Sequence, residues 1–201
     1  MALPKEKFEE IKSKIQKFID HEMVANENDL SFNHKFADHL SFLEEKRNMV
    51  REMGLFAPQI PKEHGGLGLS LHQLGQIYEV LGKTFYGLYV FNCQAPDAGN
   101  MEILIEHGTD YQKETFLKPL VEGKVRSCFS MTEPEFAGSN PVIMGTTAIK
   151  DGSNYVINGH KWFTSSADGA DFAIVMVITD PDHENPYICL LYTSDAADDS
   201  Q

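Results

Sequence analysis

The chain has 201 residues, of which 42% are hydrophobic and 23% are charged, and its formal net charge is −13 at pH 7. This composition is typical of a folded globular protein and excludes a disordered chain. The negative charge disfavours nucleic acid as a partner because it repels phosphates, and no apolar run approaches the about 20 residues of a membrane-spanning helix.

The first twenty residues and the metal-binding residue types exclude two further classes. Residues 1–20 alternate Lys and Glu with Phe and Ile, which is unlike a secretion signal. We therefore expect a cytoplasmic protein, or one of an organelle matrix in a eukaryote. The three cysteines form no CxxC and the eight histidines no HExxH, so no metal site is predicted.

The N-terminal part of the chain has apolar residues at helical spacing. One such face, between residues 4 and 23, contains Phe8, Ile11, Ile15, Phe18 and Ile19. Ser70 is a predicted N-cap for a stripe formed by Leu71, Leu74, Ile77, Tyr78 and Leu81. The predicted helices cover residues 4–23, 38–53, 71–81, 98–107 and 110–121, with Gly54 after the second and Thr109 capping the last.

The pattern changes to short alternating runs near Val125. The predicted strands cover residues 127–131, 146–150, 155–158, 161–164 and 172–179. Asp151-Gly152 and Asn158-Gly159 are dipeptides that favour tight hairpin turns. The expected fold class is therefore α+β, with an all-helical N-terminal domain over residues 1–124 and an incomplete antiparallel β-barrel or sandwich domain over residues 125–188.

The last residues do not continue this pattern. The run from Cys189 to Asp199 matches one reading frame of a widely used transposon-type sequencing adapter. We therefore interpret residues 189–201 as a non-native tail and expect its residues 193–201 to be disordered. A native acidic loop is the alternative. Without later strands, residues 173–178 would form an unpaired edge.

The segment Cys128–Pro141 is the most informative for chemistry. A strand ends at Met131-Thr132 and a polar loop containing Gly138 follows. Strand-end loops offer backbone N–H groups and hydroxyls that suit a flat heterocycle and a pyrophosphate. The alternative is a plain exit from a strand with no ligand. There is no GxxxxGK[ST] loop, and no GxGxxG follows a strand.

This segment resembles the flavin-binding signature of acyl-CoA dehydrogenases, a Met/Val-Thr-Glu-Pro run followed by small residues and a serine. A second segment, Tyr155–Ser165, follows at family spacing. The residues around His107–Lys124 and Ile60–Gly68 resemble the family too, and Ala95–Glu102 is similar to a subgroup associated with long-chain substrates. The resemblance covers about residues 40–180.

The resemblance implies FAD as cofactor and assigns residues to it. Phe129, Met131 and the Thr132 hydroxyl would face the pyrimidine side of the flavin. Gly138 would allow a close approach, and Ser139 would bind near the pyrophosphate or the CoA substrate. On the second segment, Phe163 would stack on the isoalloxazine, Ser165 would face N5 and Thr164 would offer its backbone.

The resemblance also implies the reaction, an α,β-dehydrogenation of fatty acyl-CoA in fatty acid β-oxidation, with hydride transfer to flavin N5. The base is a glutamate of a C-terminal helical domain in this family, so no catalytic residue is assigned here and the fragment is expected to be inactive. Glu133 and Glu135 lie in the cofactor loop and are not assigned as the base. Electron-transferring flavoprotein is the implied acceptor, and the parent is expected to be a homo-oligomer.

Two alternatives remain at this point. An acyl-CoA oxidase or a flavin monooxygenase would share the fold but differ in oxygen access. A helical binding module without catalysis is the other class.

Overall fold

The structure of this chain is a computed structural model, which describes residues 3–27, 35–138, 140, 143–180 and, for the backbone alone, 188–193. The chain divides into two compact units, Met1–Gly123 and Lys124–Gln201. In the described part of the first unit, every regular element is a helix, which confirms the helical N-terminal region. None of the described helices combines the length and the apolar character needed to cross a bilayer.

The helices of the first unit include the five predicted segments in order, and the short helix at Gly87–Val90 was not predicted. They are α1 (Lys5–Phe18), α2 (Phe36–Glu52), α3 (Leu71–Leu81), α4 (Gly87–Val90), α5 (Asp97–His107), α6 (Asp110–Gln112) and α7 (Lys118–Val121). A π turn, Ile19–Met23, extends α1, and a second one, Lys113–Leu117, joins α6 to α7. Pro119 lies where the second π turn passes into α7, so a residue without an N–H falls at an irregular part of this helical segment.

The predicted caps are present because short polar side chains satisfy the free amides at a helix start. The Ser70 hydroxyl accepts from the Gln73 amide at 3.4 Å, and the Thr109 hydroxyl accepts from the Gln112 amide at 3.2 Å. Gly54 has φ +69°, a conformation that suits glycine, just after the end of α2.

The core of the first unit is built where α1, α2 and α3 turn apolar faces towards one another. Its fully buried members include Ile15, Ile19, Leu43, Val50, Ile77 and Leu81. Burying each such side chain stabilises the fold by about 1.5–3 kcal/mol. Leu71 corrects the predicted stripe, because it is 85% exposed at the first turn of α3. Leu71 lies on the solvent side of this turn, whereas Leu74 is buried.

The second unit contains a five-stranded sheet of β1 (Ser127–Ser130), β2 (Thr147–Asp151), β3 (Asn154–Asn158), β4 (Phe172–Ile178) and β5 (Ile188–Thr193). The order β1-β4-β2-β3 runs along one side, and β5 pairs with the other edge of β4. The α+β class is confirmed, but the sheet is mixed and open. β1 pairs with β4 in parallel, and β2 meets β4 in parallel at Thr147 and Ile178.

One predicted hairpin is present and one is absent. Asp151 pairs with Asn154 across a two-residue loop that contains Gly152 at φ +61°, so β2 and β3 form the expected hairpin. Residues 159–164 contain no strand, and Asn158-Gly159 closes no hairpin. A Cβ at Gly159 would collide with Thr146, so this glycine permits close packing instead of a turn.

The prediction of an unpaired edge along β4 is wrong. Residues 173–178 pair with residues 188–193 in antiparallel register, from Ala173 with Thr193 to Ile178 with Ile188. Pairing needs only backbone groups and a short β-prone run, which Cys189–Tyr192 supplies whatever its origin. Residues 194–201 of the predicted tail lie outside the described residues, and the adapter origin of residues 189–201 stays a prediction.

Candidate functional site

Two separate segments of the second unit meet at the end of β1. The Ser130 hydroxyl lies 3.1 Å from the Thr164 hydroxyl. Two residues further along, the Trp162 amide donates to the Thr132 carbonyl at 3.0 Å. The strand-end loop and the second motif segment, which are about 30 residues apart in sequence, are therefore neighbours in the fold.

A buried ion pair adds a third connection between the same segments. Lys161 Nζ donates to the Glu133 carboxylate at 2.8 Å and to the Met131 carbonyl at 2.8 Å. The side chains of Lys161 and Glu133 are only 10% and 2% exposed. A buried charge of this kind needs a matched partner, which each residue provides for the other.

Glu133 is also bound to the chain that enters β2. Its carboxylate accepts from the Gly145 amide at 2.5 Å, from the Thr146 amide at 2.9 Å and from the Thr146 hydroxyl. Burial raises the pKa of this carboxyl, but the hydrogen bonds from Lys161, Thr146 and the two amides outweigh it and lower the pKa to about 2. Glu133 is thus an ionised acceptor held by several donors, which does not suit a catalytic base.

Phe163 has an unusual backbone and an exposed ring. Its φ is +52°, a region that bulky residues rarely adopt without support from the surrounding structure. The side chain is 80% exposed, and its ring centroid lies 4.5 Å from that of Trp162 at an angle of 39°. The second segment therefore presents a flat apolar surface, which is suited to stacking a planar ligand.

The remaining sequence-predicted residues are distributed around the same loop. Gly138 faces Thr132, since a Cβ at Gly138 would lie 2.7 Å from Thr132 Cγ2. Phe129 and Met131 are half-buried, whereas Ser165 is exposed. Ser139 lies outside the described residues.

Sequence reasoning missed the contribution of Lys161 and Thr146 to this site. It considered Glu133 only as a base and set it aside. The available signal was that Glu133 and Lys161 are charged residues inside the two motif segments, where opposite charges can pair once the segments meet. The pair was not predicted because the two residues are 28 positions apart in the sequence.

Family models match nearly the whole chain. The model of the acyl-CoA dehydrogenase N-terminal domain matches residues 5–124, and that of the acyl-CoA dehydrogenase middle domain matches residues 128–198. The chain therefore belongs to the acyl-CoA dehydrogenase family.

Individual relatives agree with this membership. The chain is 43% identical over 136 residues to acyl-CoA dehydrogenase family member 11 of Gallus gallus, covering 68% of this chain and 17% of that protein. A solved Mycobacterium abscessus structure assigned to the acyl-CoA dehydrogenases is 31% identical, with a TM-score of 0.85, and the match covers 96% of this chain and 51% of that one.

A further solved structure is an acyl-CoA dehydrogenase from Bacillus anthracis complexed with FAD. It is 23% identical, has a TM-score of 0.71, and is matched over 96% of this chain and 31% of that one. At this identity the likeness shows the fold alone. The chain spans at most about half of the length of these three proteins.

Proposed function

We propose that this chain is part of an FAD-dependent acyl-CoA dehydrogenase that introduces a double bond between the α and β carbons of a fatty acyl-CoA. The observation that carries the proposal is the meeting of the two motif segments, held by the contacts of Ser130 with Thr164 and of Thr132 with Trp162. Membership of the family supports the reaction class, and the Bacillus anthracis structure complexed with FAD shows that a protein of this fold binds that cofactor.

The residues of the first segment fit the polar side of a flavin. Phe129 and Met131 would offer backbone groups and Thr132 its hydroxyl. β1 is the terminal strand of the described sheet order, so its outer backbone edge has no strand partner among the described residues. The missing Cβ of Gly138 lets the loop fold back on Thr132, and Ser139 would bind near the pyrophosphate or the CoA substrate.

The residues of the second segment fit the ring system. The exposed ring of Phe163 would stack on the isoalloxazine, and the exposed Ser165 hydroxyl would donate to N5. Thr164 would contribute its backbone, because its hydroxyl already lies in hydrogen-bonding distance of Ser130. Trp162, beside Phe163, would exclude water from one side of the site.

When bound, FAD supplies the hydride acceptor for the β-carbon. The α-proton requires a carboxylate base. Glu133 is fully engaged, and Glu135 is exposed beside His160 at 3.1 Å, so we assign neither as the base. We propose that the base belongs to a part of the parent enzyme beyond this chain. We also propose that the parent is a homo-oligomer and that a separate protein, electron-transferring flavoprotein, accepts its electrons.

The test uses the purified full-length parent. We expect a yellow protein that contains FAD and whose flavin absorbance bleaches anaerobically when fatty acyl-CoA is added. Rapid reoxidation of the reduced protein by air would indicate an acyl-CoA oxidase instead. A colourless protein that cannot be reconstituted with FAD would contradict the proposal.

A further inference from the structure

The conformation of Phe163 requires support from its surroundings. A bulky residue at φ +52° is strained, and an 80% exposed ring gains little from packing. Its contact with the Trp162 ring, which is itself 43% exposed, leaves most of the Phe163 ring in water and does not fix the backbone. The support must come from the residues on either side of Phe163.

Both flanks of Phe163 are attached to the strand-end loop. On the N-terminal side, Lys161 binds the Met131 carbonyl and the Glu133 carboxylate, each at 2.8 Å. On the C-terminal side, the Thr164 hydroxyl lies 3.1 Å from that of Ser130. The segment between these attachments has little freedom, so its backbone conformation is imposed from outside.

Of these attachments, the Lys161 contact is the best anchored. The Glu133 carboxylate that receives Lys161 is itself fixed by the amides of Gly145 and Thr146, at the start of β2. The ammonium group thus joins the second segment to two other parts of the unit at once. The contact of Ser130 with Thr164 and the bond from the Trp162 amide to the Thr132 carbonyl are each a single neutral hydrogen bond and are weaker.

We propose that the buried Glu133–Lys161 pair is a positioning device that holds Phe163 in its left-handed conformation, with the ring turned outward for the cofactor. This inference rests on the proposed function for the identity of the cofactor. The pair itself touches no reacting atom. It acts through residues 161–165, which it fixes before the ligand arrives, so that less conformational entropy is lost on binding.

The chain contains its own probe for this idea, because Trp162 is its only tryptophan. The experiment compares wild type, Lys161→Met and Lys161→Arg in the 201-residue chain, with Lys150→Met on exposed β2 as the matched control. The readouts are amide hydrogen exchange of peptides covering residues 160–166 and the fluorescence anisotropy of Trp162. The FAD dissociation constant is then measured with the same substitutions in the full-length parent.

We expect Lys161→Met to speed exchange in residues 162–165 and to weaken FAD binding, each by about tenfold, because a charge-assisted hydrogen bond to two partners is lost. Trp162 anisotropy should fall. Lys161→Arg keeps the charge and the donors, so its hydrogen exchange and its FAD binding should be close to those of wild type. Lys150→Met should match wild type. Equal behaviour of the Met and Arg variants, or unchanged exchange in Lys161→Met, would overturn the proposal.

A second variant, Glu133→Gln, tests the same pair if Lys161→Met does not fold. It keeps the side-chain shape and removes the charge. If it retains the circular dichroism of the sheet and exchanges faster at residues 162–165, the positioning role stands. Loss of the sheet in both variants would overturn the positioning role, since the pair would then stabilise the fold of the whole second unit. If the wild-type parent binds no FAD, the proposed function fails, while the exchange data still decide whether the pair orders this segment.

Discussion

The Arg47 guanidinium donates a hydrogen bond to the Gly123 carbonyl at 3.3 Å, which fixes the last residue of the helical unit to α2. Arg47 is 2% exposed, and it also donates to the Tyr89 carbonyl at 2.5 Å and lies 4.5 Å from the Tyr89 ring. Burial lowers its pKa, but the guanidinium remains charged at neutral pH.

Arg47→Met should therefore destabilise the helical unit. The substitution removes the hydrogen bonds from the buried guanidinium to the Tyr89 and Gly123 carbonyls and its ion pair with Glu44. A hydrogen bond that involves a charged group contributes about 1.5–3 kcal/mol. Urea unfolding followed by far-UV circular dichroism measures the change. Arg51→Met is the matched control, because Arg51 also donates to Gly123 at 3.3 Å but is 29% exposed and should cost less than about 1 kcal/mol. An equal loss of unfolding free energy in Arg47→Met and Arg51→Met would contradict the prediction that the buried arginine contributes more to stability than the partly exposed one.

Glu133 should make the second unit sensitive to acid. Its pKa is lowered from 4.5 to about 2 in the folded chain, so the unfolded chain binds the proton more readily. The stabilisation is present above pH 4.5 and is lost as the pH falls towards 2, with a size on the order of 3 kcal/mol. Urea midpoints measured between pH 6 and pH 2.5 test this. Glu133→Gln should lack this component of the pH dependence, whereas exposed Glu135→Gln should keep it.

Phe163→Ala should weaken the retention of FAD by the full-length parent. The proposed stacking of this exposed ring on the isoalloxazine contributes about 0.5–1.5 kcal/mol beyond area burial. FAD release during dialysis, followed by flavin fluorescence, gives the dissociation constant. Phe136→Ala, a partly exposed aromatic residue of the preceding loop, serves as the control. An unchanged dissociation constant in Phe163→Ala would argue against stacking.

Ser165→Ala should separate cofactor binding from reactivity. If the exposed Ser165 hydroxyl donates to flavin N5, its loss slows flavin reduction by acyl-CoA more than it weakens FAD binding, because the bond matters most when charge develops at N5. Anaerobic stopped-flow reduction of the parent measures the rate. Ser166→Ala is a neighbouring control. Wild-type reduction rates in Ser165→Ala would remove this residue from the assigned site.

The 201-residue chain by itself should not turn over acyl-CoA, because no described carboxylate is assigned as a base. The measurement is acyl-CoA oxidation with an artificial electron acceptor, beside the full-length parent as the positive control. Measurable turnover would require a base that the present assignment overlooks. Sequencing the source DNA beyond the codon for Ile188 tests separately whether residues 189–201 are adapter-derived.

Local signals in the sequence determined the helical unit and the first hairpin. The Ser70 and Thr109 caps and the Gly152 turn each act within four residues, so their geometry follows from short-range chemistry. The two motif segments were also recognisable from residue order alone, as was the change from helical to alternating patterns near Val125.

Only the tertiary structure decided how distant segments combine. The parallel pairing of β1 with β4, the partner strand of β4 at residues 188–193 and the irregular backbone at residues 159–164 all depend on contacts across many residues. The same holds for Glu133 and Lys161, which are 28 residues apart in sequence and 2.8 Å apart in the fold. A sequence pattern reports which faces are apolar, but a buried ion pair forms only when packing removes both charges from water together.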